Sequence, residues 1–174
     1  MDLLDFTVEE LYFDKPLPDE VAQMLDAASE LYGSEKAEQK LLAAYFLEPE
    51  NFTVLVALYR YYYYQHRYQD AMLVAERTLV ITASMLGINR DWRCFSAMDL
   101  AYGVQHSMAL MRFYLYALKG AGYLSLRMND FEGARERFQK IVDVDTSERI
   151  GATPLLELAI EALEEQGKAS VAAA

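Results

Sequence analysis

Apolar residues along this chain return at intervals of three and four, not two. Leu55, Leu58, Tyr59 and Tyr62 fall at i, i+3, i+4 and i+7 and line one face of a helix. Ala134, Phe138 and Ile141 draw a corresponding stripe further on. The polar segments between such stripes carry helix start and stop signals. Thr7-Val8-Glu9-Glu10 reads as a capping box that opens a short helix ending before Lys15-Pro16-Leu17-Pro18. Pro18 and Asp19 start the next helix, Gly33-Ser34 is its turn, and Glu48-Pro49-Glu50-Asn51 separates this first helical unit from the second. A long helix runs from near Gln69 to about Met85 and stops at Gly87. Asn89-Arg90-Asp91 is a turn, and Ser96-Ala97-Met98-Asp99 can cap another helix. Met108 to Met128 reads as one helix broken only by small residues, Thr146-Ser147-Glu148 ends a unit, and Pro154 to Glu165 forms a terminal helix. The fold class this predicts is all-α.

The helices repeat. Ala37 and Ala71 lie 34 residues apart, and Ala134 follows 63 later, one such period plus 29. Tyr68-Gln69-Asp70-Ala71 and Phe131-Glu132-Gly133-Ala134 each set an aromatic three residues before the alanine. Two antiparallel helices approach closely only where a side chain at the crossing is small, which Ala71, Ala134 and Gly122 supply. Val21, Met24, Leu25, Ala28, Ala37, Leu41, Ala44 and Pro49 form a first set. Leu55, Leu58, Tyr59, Tyr62, Ala71, Ala75 and Thr78 form a second, and Leu118, Ala121, Gly122, Ser125, Ala134, Phe138 and Ile141 a third. This register resembles the tetratricopeptide repeat. It departs from that pattern in that Pro49 has no counterpart in the later units and only Gly122 supplies the glycine.

The resemblance implies antiparallel hairpins stacked as a short right-handed solenoid with a C-terminal capping helix. The expected segments are an N-terminal segment with a short helix over 1–17, hairpins over 18–51, 52–87 and 115–148, a capping helix over 149–166 and a frayed tail over 167–174. Residues 88–114 hold either an inserted helix or lengthened flanking helices, the second being favoured after Ser107. In proteins of this kind the first helix of each hairpin lines a concave groove. That transfer nominates Asp19, Ala22, Asp26 and Ser29 in the first unit and Thr53, Val56, Arg60 and Tyr63 in the second. Tyr116, Lys119, Tyr123 and Leu126 follow in the third. The partner-binding set is Val56, Arg60, Tyr63, Tyr116, Lys119 and Tyr123: rigid tyrosines with a polar tip, and two cations. Some family members clamp a chaperone's C-terminal carboxylates with lysines and asparagines at these positions; here Ala22, Asp26, Val56, Arg60, Lys119 and Tyr123 stand there and that pattern is absent, so heat-shock chaperone binding is not expected.

Composition narrows the function classes. Sixteen basic against 27 acidic residues give a formal charge of −11, which repels phosphate backbones and anionic lipid, so neither nucleic acid nor a membrane is expected as a partner. The apolar runs are too short to span a bilayer and the first residues are acidic where a secretory signal is basic, so a cytoplasmic location is expected. Chemistry is sparse. His66 and His106 are the only histidines, and no metal-ligand spacing, nucleophile elbow or phosphate-cradling glycine loop occurs. Cys94, the single cysteine, beside Trp92 and Phe95, reads as a small buried apolar residue. Glu132, Arg135 and Glu136 read as a solvated helix face. No cofactor and no catalysis are expected.

Within Tyr59 to Tyr64, Tyr59 and Tyr62 are expected in the core, Tyr61 and Tyr64 packed or exposed, and Tyr63 facing the groove. The expectation is a non-catalytic adaptor or scaffold that binds a peptide or helix of a partner protein in a tyrosine-rich groove. A small dedicated chaperone for a secreted or assembly client is the alternative, as is a self-associating structural protein, a homodimer through 88–114.

Overall fold

The computed structural model describes residues 15–172, with side chains through Lys168. The expected capping box at Thr7 lies outside the described residues. Within them are seven α-helices, one 3-10 turn and no strand. The chain is all-α. The helices are α1 (Asp19–Glu30), α2 (Glu35–Leu47), α3 (Phe52–Tyr64), α4 (Tyr68–Leu86), α5 (Ala97–Arg127), α6 (Phe131–Val142) and α7 (Thr153–Ala172), with the 3-10 turn at Trp92–Cys94. Each helix packs against the next along the chain. No described helix is long and apolar enough to cross a membrane.

Local chemistry explains the boundaries. The Asn51 side chain accepts from the N–H groups of Thr53 and Val54 at 3.0 and 3.3 Å and so caps α3. Gly87 ends α4 in the left-handed conformation, φ +70°, and the N–H of Ile88 reaches back to the Ala83 carbonyl at 3.0 Å. The capping box at Ser96 forms, with the Asp99 carboxylate accepting from the Ser96 N–H at 2.9 Å.

The 88–114 segment holds the 3-10 turn at Trp92–Cys94 and the start of α5. Ser107 has non-helical angles, φ −160° and ψ +106°, and divides α5 into a short first arm and a long second arm. Its hydroxyl accepts from the Leu110 N–H at 3.2 Å, so Ser107 is the N-cap of the second arm. At the other end, α7 continues through the stretch expected to be a frayed tail and reaches Ala172.

Small residues set the close approaches. Ala37, Ala71 and Ala134 are completely buried. Gly122 on α5 faces Phe138 on α6 so closely that an added Cβ would lie 2.6 Å from the ring carbon Cε1. Phe52 on α3 and Phe113 on α5 meet with ring centroids 4.9 Å apart, at the centre of a core that includes Tyr59, Leu79, Tyr114 and Leu118. Arg137 on α6 is buried among polar partners. It pairs with Glu76 on α4 at 2.7 Å and donates to the Gly133 carbonyl at 3.0 Å, while its guanidinium lies 4.7 Å from the Trp92 ring centroid.

Cys94 is exposed, contrary to expectation. The 3-10 turn has three residues per revolution, so Trp92 and Phe95 share the inward face and Arg93 and Cys94 point out.

Candidate functional site

The first helices of the first two hairpins, α1 and α3, flank a cleft of about 640 Å³. Leu25, Asp26, Ala28, Ser29 and Tyr32 line it from α1, Leu41 from α2, and Thr53, Val56, Ala57, Arg60, Tyr61 and Tyr64 from α3. Its depth follows from the short side chains of Ala28, Ser29, Thr53 and Ala57. Its floor is apolar, since Ala28, Leu41 and Val56 are buried. Its mouth is aromatic: Tyr32 and Tyr64 are 55% and 56% exposed, and Tyr32 meets Tyr61 edge-on with centroids 6.2 Å apart. Asp26 on one wall and Arg60 on the other give it a charge of each sign.

A polar clamp holds the walls from behind. Arg67 pairs with Glu38 on α2 and Asp70 on α4, each at 2.7 Å, and its guanidinium sits 4.6 Å from the Tyr62 ring centroid. The Tyr62 hydroxyl donates to Glu38 at 3.2 Å. Burial, and then the neighbouring Glu38 charge, push the Tyr62 phenol up to about 12, and the same two causes in the same order raise Tyr61. Both phenols therefore stay neutral donors at ordinary pH.

Of the residues expected to bind a partner, Val56 and Arg60 line this cleft, as do Asp26, Ser29 and Thr53. Tyr63 does not. It is half-buried and packs with Tyr123 on α5 at 6.2 Å and Tyr68 on α4 at 5.9 Å. The stripe Thr53, Ala57, Arg60, Tyr64 is the one that faces α1, which turns Tyr63 to the α5 side and brings Tyr64 into the cleft. Tyr68 in that cluster accepts from Arg127 and pairs with His66 Nδ1 at 2.8 Å.

Tyr116 and Lys119 are not groove residues. Every residue of α5 from Phe113 to Gly122 is buried, because this stretch lies in the middle of the core and is packed all round. Lys119 is only 9% exposed, and its ammonium donates to the Ile150 carbonyl at 2.8 Å, in the turn before α7. Tyr123 is half-buried in the tyrosine cluster. Sequence reasoning missed Tyr32 and Ala57, although both stand at helical spacing from residues it named.

The histidines are exposed and well apart in their engagements. His66 pairs with Tyr68, and His106 Nδ1 lies 2.9 Å from the Tyr102 carbonyl. Among the described residues, no group of three or more His, Cys, Asp or Glu side chains is placed to hold a metal ion. Glu132 forms an exposed i, i+3 pair with Arg135, whose hydrogen bonds hold its carboxyl below the usual range.

No family model and no solved structure matches this chain. A relative described as the uncharacterized 19.8 kDa protein in the nifW 5′ region of Azotobacter chroococcum mcd 1 is 46% identical over 161 residues, spanning 92% of this chain and 90% of the relative. An identity of that extent over nearly the full length of both chains shows that this chain belongs to the same family as that Azotobacter protein.

Proposed function

We propose that this protein is a non-catalytic interaction module of the cytoplasm, a short tetratricopeptide-like solenoid that binds a peptide or helix of another protein in the α1–α3 cleft. Three antiparallel pairs, α1–α2, α3–α4 and α5–α6, follow one another with each helix packed on its successor, and α7 lies against α6 as a cap. The tight passage of α5 past α6 at Gly122 supports the same architecture. The single observation that carries the binding role is the cleft itself. It has a buried apolar floor, two half-exposed tyrosines at its mouth and Arg60 on its wall. Such a surface takes an apolar anchor side chain and orients it with a few polar contacts.

The Azotobacter relative is described by its position in the nifW 5′ region, so the nifW product is the first partner to test. Calorimetric titration of the chain with that protein is expected to show binding that weakens by about tenfold or more on Tyr64→Ala with Arg60→Glu, the loss typical of a hot-spot pair. Binding undiminished in the double variant would remove the cleft from the function.

A further inference from the structure

α3 and the second arm of α5 run side by side. Phe52 meets Phe113 with ring centroids 4.9 Å apart, and further along both helices Tyr63 meets Tyr123 at 6.2 Å. The seam between these two contacts is about 16 Å long at the rise of an α-helix. Val56 and Arg60 share the Tyr63 stripe of α3, at i, i+4 and i+7, and Arg112 and Tyr116 share the Tyr123 stripe of α5. Leu55, Leu58 and Tyr62 belong to a different face of α3, turned to α2 and α4, and Gly122 to the face of α5 that meets α6. Val56 and Tyr116 are nevertheless buried. The seam is also where this chain of charge −11 has no acid. From Phe52 to Tyr64 and from Ser107 to Arg127 there is no Asp or Glu, whereas Arg60, Arg112, Lys119 and Arg127 are all present. Arg112 is exposed, with its guanidinium 5.3 Å from the Tyr116 ring centroid.

We propose that residues 1–14 of this chain lie along the α3–α5 seam as its internal ligand. The segment starts at the seam. The Lys15 carbonyl accepts from the Asn51 side-chain amide at 3.1 Å, and Asn51 caps α3 immediately before Phe52. It is long enough, since fourteen residues span about 21 Å as a helix and more when extended. Its chemistry is complementary. Leu4, Val8, Leu11 and Tyr12 recur at i, i+4, i+7 and i+8, and Asp2, Asp5, Glu9, Glu10 and Asp14 stand among them without a lysine or arginine. Tethering holds the segment at an effective concentration on the order of millimolar, ahead of any free ligand of like chemistry. Arg60 lines the α1–α3 cleft as well, so the segment borders that cleft, and it docks whether or not the cleft takes a partner.

Hydrogen exchange on the full chain tests this. A helix this short is marginal in water by itself, so slowed amides within residues 4–14 report docking. They are expected to exchange about tenfold or more slower than free chain. Arg112→Glu is expected to remove most of that protection at low salt and less of it at high salt, with the α4 amides unchanged. A nitroxide on Leu3→Cys in the Cys94→Ser chain is expected to broaden the amide signals of Arg60, Tyr63 and Arg112 more than those of Leu73 on α4 and Glu136 on α6. If Arg112→Glu loses helix, the nitroxide decides, because it leaves the seam unaltered. Residues 4–14 exchanging at the free-chain rate overturn the proposal. So does protection unchanged in a folded Arg112 variant at low salt, or broadening that is strongest away from α3 and α5.

Discussion

At Gly122 the missing side chain does structural work, because the Phe138 ring occupies the space a methyl group would need, 2.6 Å away. Phe138 is completely buried, so its ring has nowhere to turn. Gly122→Ala is therefore expected to cost about 1–3 kcal/mol despite the better helix propensity of alanine, read as a lower urea midpoint with an unchanged slope. An alanine variant as stable as the parent would show that α5 and α6 do not pass so closely. The tyrosines teach a different lesson about single residues. Tyr59, Tyr62, Tyr63 and Tyr64 share a ring chemistry, yet one is core, one clamps Glu38, one joins an aromatic cluster and one stands at a cleft mouth. A helical turn of about 100° per residue assigns these roles, not residue type.

Among elements, α5 departs most from a simple hairpin. Its break at Ser107 is held by a single hydroxyl-to-N–H contact to Leu110, so Ser107→Ala is expected to lower stability by about 0.5–2 kcal/mol, measured by thermal melting. A glycine there should recover most of the loss, since glycine tolerates the cap position. The start of this second arm could be read from the chain, because Met108 begins an unbroken apolar pattern and Ser is a favoured cap. The buried alanines Ala71 and Ala134 were legible because each stands three residues after the aromatic that opens its helix, Tyr68 and Phe131. What could not be read depended on neighbours remote in sequence. Lys119 looks like a surface cation until the Ile150 carbonyl, 31 residues away, accepts a hydrogen bond from its buried ammonium. Cys94 looks buried until the 3-10 turn assigns the inward face to Trp92 and Phe95. Tyr63 and Tyr64 are one residue apart, and only the placement of α1 and α5 on either side of α3 decides which of them meets a partner.

Each helix packs on the next along the chain, and the stacking proposed above predicts how stability is distributed among them. In such an array the interior units have two neighbours and the terminal ones only one. Hydrogen exchange is expected to be slowest in α4 and the second arm of α5, where Leu79, Tyr114 and Leu118 are buried, and fastest in α1 and α7. Uniform protection from α1 to α7 would instead indicate a single cooperative block.

Trp92 is the only indole in the chain, and it lies under two guanidinium groups, Arg93 at 4.5 Å and Arg137 at 4.7 Å. Arg137 in turn reaches Glu76 on α4 from its place on α6. The one tryptophan fluorophore thus sits on the seam where the fourth helix, the sixth helix and the connection into the fifth are locked together. Its emission will report the parting of that seam without any added label, and will be silent when only the first hairpin opens.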